Sequence, residues 1–301
     1  MITAKLFAAL LISAAAAGLP VRSADGAELK TAAIDAWTKY AHETEARIEA
    51  ELKLSPRFFA HNFIAPRESA LELQSLRQGK IVVKKMETLA DGGRDIDIPD
   101  GMIHHWRGSV LIPGASLNLV LDRVRNPVSE EVRQEDVLAS RVLNRLPDGY
   151  RLYLKLQRSK IVTVVYNTEH EVHYREQSRD RAWSSSKGVK IAELSDPHTA
   201  AELEKPQGRD HGFLWRLNSY WKYGQVPEGV LVECESISLS RGIPIGLEFL
   251  IRPLIDKVAR ESMERTLESM RQRIINAGKK TGLPITSDIL PAMRGTPAAR
   301  P

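Results

Sequence analysis

Two histidine-bearing segments are the first places in this chain where residue type and spacing could do chemistry. Glu169-His170-Glu171-Val172-His173 and the doublet His104-His105 both invite a metal reading. On a strand, successive side chains point to opposite faces, so the odd spacing puts His170 and His173 apart, and it separates His104 from His105 in the same way. A helical zinc motif needs two ligands four apart on one face, which neither segment offers. A site joining His104 to His170 across strands would still need a cysteine or a well-placed carboxylate, and the sequence supplies neither. No metal and no cofactor is expected. Cys234, the single cysteine, has no neighbouring base, there is no G-x-S-x-G, and Gly92-Gly93 lies in a turn rather than ahead of a helix. No catalytic residue is therefore assigned. His170 shares its strand face with Val164, Tyr166, Thr168, Val172 and Tyr174. It reads as a satisfied core residue, as a ligand contact or as an acid–base group.

The elements that must position these residues follow from periodicity. Thr31 to Leu54 reads as a helix with Ile34, Trp37, Ala41, Ile48 and Leu52 on one face, closed by Pro56. Pro66 to Gln78 reads as a second, ended by Gly79. Lys80 to Thr88 is β-rich, Asp91-Gly92-Gly93 marks a turn, and Ile96 and Ile98 resume an alternating pattern. In Met102 to Ile112, Met102, His104, Trp106, Val110 and Ile112 share one strand face. Ser116 is placed to cap a short helix carrying Leu117, Val120, Leu121 and Val124, with Pro127 as its stop and a further turn at Ser129 to Glu135. At least six strands follow: Val137 to Arg145, Tyr150 to Lys160, Ile161 to Gln177, Ala182 to Leu194, Phe213 to Gln225 and Val230 to Arg241, with a polar loop from Ser195 to His211. Sequential strands joined by tight turns form an antiparallel meander. The last element is a long amphipathic helix beginning at Pro253, with Ile255, Ala259, Met263, Leu267, Met270 and Ile274 as its stripe and Gly278 as its stop.

A sheet of this kind has an apolar face to cover, and the terminal helix is the long element left to do so. If Val226 and Gly229 flank the last turn, Trp221 sits opposite Cys234, Ser219 opposite Ser236, Leu217 opposite Ser238 and Trp215 opposite Ser240. The other face then pairs Lys222 with Glu233. Aromatic side chains opposite small ones describe a wall with space beside it.

The run from Pro99 to Ala277 resembles the START-like superfamily, the polyketide-cyclase and lipid-transport group also known as SRPBCC. More narrowly it is similar to a group of uncharacterised exported bacterial proteins. The segments DGMIHHWRGSVLIPGASL (Asp100 to Leu117), VVYNTEHEVHY (Val164 to Tyr174), GFLWRLNSYWKY (Gly212 to Tyr223) and VECESISLSRGIP (Val232 to Pro244) carry the likeness, with Arg260-Glu261-Ser262 in the final helix. The resemblance implies an α+β helix-grip fold, a curved antiparallel sheet wrapped around a long C-terminal helix. Residues 80–277 would be that domain, 25–79 an N-terminal helical extension and 278–301 a disordered tail. Ligand contacts are expected from Trp106, Tyr166, His170, Trp215, Trp221 and Arg260. Arg260 reads either as the i, i+4 partner of Glu264 or as a cation closing one end of a cavity on an anionic head group.

The ends and the bulk composition set the setting. Lys5 followed by the apolar run Leu6 to Ala17 reads as an export signal over residues 1–24, cleaved to place the protein in the periplasm or outside the cell. The formal charge of +5 on 301 residues is mild and interleaved, which argues against nucleic acid as a partner. The expected partner is a hydrophobic or amphipathic small molecule, lipid-like in character, bound by a monomer that can touch a membrane surface transiently. Two other readings stand beside this binding function: a cyclase or hydrolase using a polar group in the same cavity, and a structural or partner-binding protein whose N-terminal segment docks elsewhere.

Overall fold

The computed structural model describes residues 28–90, 92–126, 136–159, 163–206, 209–243 and 248–280. The expected signal, the turn at Ser129 to Glu135 with Pro127, and the tail beyond Lys280 lie outside them. Helix α1 (Thr31–Lys53) is followed by a tight helical turn (Ala60–Phe63), α2 (Pro66–Arg77), β1 (Val82–Lys85), β2 (Gly101–Pro113) and α3 (Leu117–Arg125). The chain continues through β3 (Val137–Leu146), β4 (Gly149–Ser159), β5 (Thr163–Ser178), β6 (Arg181–Ser195), β7 (Leu203–Glu204), β8 (Arg216–Val226), β9 (Gly229–Arg241) and α4 (Glu248–Lys280). The strands form one antiparallel sheet in the order β1-β2-β9-β8-β6-β5-β4-β3, with β7 paired to β6 inside the expected polar loop.

Local chemistry explains most boundaries. The Ser116 hydroxyl accepts from the Leu119 amide at 3.3 Å and so caps α3. Pro66 opens α2, where its missing N–H costs no helical bond. The β8–β9 register is the one the turn residues predict: Trp221 faces Cys234, Ser219 faces Ser236, Leu217 faces Ser238 and Lys222 faces Glu233. Trp215 departs from that ladder, because β8 begins only at Arg216. Ile96 and Ile98 form no strand; they pack as side chains against the cluster beneath α1. Helix α4 begins at Glu248, before Pro253, and runs past Gly278. Gly278 and Ala277 are buried on its packed side, and that packing outweighs the low helical propensity of glycine.

Both faces of the sheet are covered, by different elements. On the inner face, Met263, Leu267, Met270 and Ile274 of α4 join Val110 and Ile112 of β2, Val230 and Val232 of β9 and Leu117, Val120 and Leu121 of α3 in one apolar cluster. Gly108 makes this approach close: a Cβ there would stand 2.5 Å from Leu267 Cδ1 and 2.6 Å from Met263 Cγ. Helix α4 is tied to both ends of the curved sheet. Lys85 of β1 reaches Asp256 at 2.8 Å, and Arg265 donates to Asp136, just ahead of β3, at 2.9 Å.

The outer face carries the N-terminal segment. Trp37, Tyr40, Ala41, Ile48 and Leu52 of α1, with Phe58 and Phe59, pack on Leu111, Leu231, Ile237 and Leu239. The charge on this face, including the expected Lys222–Glu233 pair, is buried. Glu233 accepts from the Ala60 amide and from Arg107, and lies 3.6 Å from Lys222. Arg107 also forks onto Glu72 at 2.8 and 3.1 Å. Glu235 accepts from Arg47 and bonds His105 at 2.7 Å, whose other ring nitrogen meets Tyr40 at 2.8 Å. The N-terminal segment is therefore seated on the outer face of the sheet.

Candidate functional site

The inner face is not covered along its whole length. The α3–α4 cluster fills one end of it. A second, smaller cluster of Leu156, Val164 and Tyr166, with Leu154 and Ile191 packed against it, fills the region near β4 and β5. The two do not merge. Between them runs a row set by register, Tyr150–Val172–Ser186–Ser219–Ser236–Trp106 across β4, β5, β6, β8, β9 and β2. The three serines at its centre are half-buried, as are Trp221, Leu217 and Ser238 beside them. Small side chains thus occupy the middle strands where α4, packed on β1 and β2, does not press down. These side chains therefore stay partly exposed on the face that the sheet turns toward its helix.

The polar groups of this inner face are few. His170 is buried and bonds only the Thr168 hydroxyl, at 3.1 Å, among its described partners; burial lowers its pKa to about 4. His104 bonds the Ser240 hydroxyl at 2.9 Å and is also lowered to about 4 by burial. Both imidazoles are therefore neutral at physiological pH, because desolvation disfavours the cation more than nearby carboxylates restore it. Among the described residues, the buried Trp106 Nε1 and Tyr166 Oη on this face lack a hydrogen-bond partner. The Tyr166 residue is 2% exposed and burial pushes its phenol well up, so the hydroxyl keeps its proton. Among the described residues no group of three metal-ligating side chains converges. His173, as its parity requires, points away from His170 and bonds Asp148.

Of the six residues expected to contact a ligand, four, Trp106, Tyr166, His170 and Trp221, lie on the inner face of the sheet by register. Trp215 does not: it lies beyond the strand, in the outer cluster with Trp37 and Tyr40, its indole donating to Asp210 at 3.1 Å. Arg260 does not either. It is exposed and donates to Glu264 at 3.0 Å, which is the plain helical pair. A trio the sequence reading did not assemble stands at the far end of the inner face: Arg158 of β4 and Arg265 of α4 both bond Asp136, each at 2.9 Å. Strand parity places Arg158 on the Tyr166 face, but nothing in the sequence ties three positions so far apart.

No family model matches the chain, and no curated protein matches it. Solved structures do resemble it. A STAR-related lipid transfer protein fragment from Xanthomonas axonopodis is 19% identical, with 65% of this chain and 93% of that one covered and a TM-score of 0.44. Human STARD10 is 7% identical, with coverage of 73% and 83% and a TM-score of 0.43. The di-domain ARO/CYC BexL is 13% identical, with coverage of 57% and 50% and a TM-score of 0.39. The strand order, the capping α3 and the terminal α4 held between the two ends of a bent antiparallel sheet make this chain an α+β protein with a helix-grip fold.

Proposed function

We propose that this chain is an exported binding protein for a hydrophobic or amphipathic, lipid-like small molecule, held between the sheet and α4. The half-buried serine row between two separate apolar clusters carries this reading, since a finished core would bury it. An apolar guest would gain about 25 cal/mol per Å² buried, before the costs of association. Trp106 Nε1 and Tyr166 Oη supply unmatched polar atoms able to orient it. The export signal over residues 1–24 belongs to the same proposal. Native mass spectrometry of protein from its source cell envelope, with solvent extraction, tests it. A co-purifying lipid-like mass that extraction removes is expected, whereas a bare chain that also fails to take up added amphipaths would refute the carrier. Among the described residues no carboxylate bonds His170 to orient it, so the acid–base alternative gains no support from its surroundings.

A further inference from the structure

We infer that the Tyr166 end of the inner face takes the anionic head of the guest, with Arg158 as the anchoring charge. This rests on the carrier reading and specifies its ligand. Arg158 pairs across β4–β5 with Val164, one step along the face from the Leu156–Tyr166 pair. Its guanidinium shares the single carboxylate of Asp136 with Arg265. Arg265 has a second acid, Glu261, at 3.9 Å, while Arg158 has no other among the described residues. Arg158, half-buried, thus shares its carboxylate with a second cation, and a guanidinium stays protonated.

The neighbouring tyrosine points the same way. Tyr166 Oη is buried without a partner, and an unmade hydrogen bond of this kind costs about 1–3 kcal/mol. The nearby Glu193 is not a free competitor for Arg158: it is bonded by Lys205 at 2.6 Å and by His211 through both ring and amide. A carboxylate or phosphate oxygen accepts from both Arg158 and Tyr166, and a hydrocarbon tail then has Val164, Leu154 and Ile191 to lie against. A hydroxyl head meets the same groups without the charge-assisted bond, which is roughly twice as strong as a neutral one.

Displacement of the uncharged fluorophore Nile red from the full-length chain, by palmitate, hexadecyl phosphate or hexadecanol, reads this directly. The two anions should compete at least about tenfold better than the alcohol, and their order tells a carboxylate head from a phosphate one. Arg158→Met should reduce both anions to the level of the alcohol and leave the alcohol unchanged. Tyr166→Phe, which leaves the bridge to α4 whole, should weaken the anions by about fivefold. Equal competition by all three compounds, or an undiminished anion preference in Arg158→Met, overturns the head-group assignment and leaves the carrier standing. If neither Nile red nor any of the three binds, both fall.

Discussion

On the outer side of β9, Glu233 and Glu235 are sealed under α1 and the turn after it, and each carboxylate has charged or amide partners. On the inner side of the same strand, Ser236 and Ser238 remain half-buried, with α4 resting on the neighbouring β2 rather than on them. One strand thus borders both a finished core and an unfinished one. The outer face spends charged groups on fixing the position of an added segment. The inner face spends small residues on leaving room. The first is a device for stability and specificity of docking, the second a device for holding a guest.

The sharpest way to break this contrast is at the sealed face. Glu233→Ala takes the acceptor from the buried Ala60 amide and from one arm of Arg107, while Lys222 keeps Glu51 and Arg107 keeps Glu72, and loss of one partner of a buried ion pair costs about 3–5 kcal/mol. Urea denaturation should show that loss, while affinity for an apolar probe in the still-folded fraction stays at the wild-type level.

Acid should act from the inner side first. His170, at about 4, is lower than the about 6.5 of an unfolded histidine, so the unfolded chain binds the extra proton between those values. Stability is therefore full above pH ~6.5 and falls as pH drops toward ~4, by about 3 kcal/mol at most for this group. His170→Leu should flatten that limb of a plot of Tm against pH, and His104 adds to it with the same sign. The outer carboxylate Glu235 is held below its usual range, despite burial, by His105 and Arg47, so its contribution is lost only at lower pH, below ~4.5.

Paired serine substitutions give the smallest effect and the finest comparison. Ser109, 1% exposed and bonded toward Glu233, has no room for a larger side chain, so Ser109→Leu should cost about 2 kcal/mol by overpacking. Ser236→Leu, on the inner face, should cost under ~1 kcal/mol in the same denaturation assay. Equal costs would mean that the two faces are packed alike.

The sequence was most legible where neighbours in space are neighbours in the chain. The turn before Gly229 sets the β8–β9 register, Ser116 caps its own helix, and the parity of Val164 to Tyr174 puts His170 beside Tyr166. It was opaque where parity says which residues share a face but not what covers that face. The pairing of Lys222 with Glu233 followed from register, but no local signal announces that Glu51 and the Ala60 amide come to meet and bury it. Trp215 was placed by extrapolating the β8 ladder one residue past its end. The Arg158–Asp136–Arg265 bridge joins strand, loop and helix through tertiary closure alone.

Direct titration of the purified chain with Nile red, set against Ser236→Leu at a temperature where both are folded, asks whether the space between sheet and helix is open to a guest. Saturable stoichiometric binding by the wild type, weakened at least about tenfold by the added leucine side chain, is the predicted result. Identical binding by the two proteins, or none by the wild type, would contradict it.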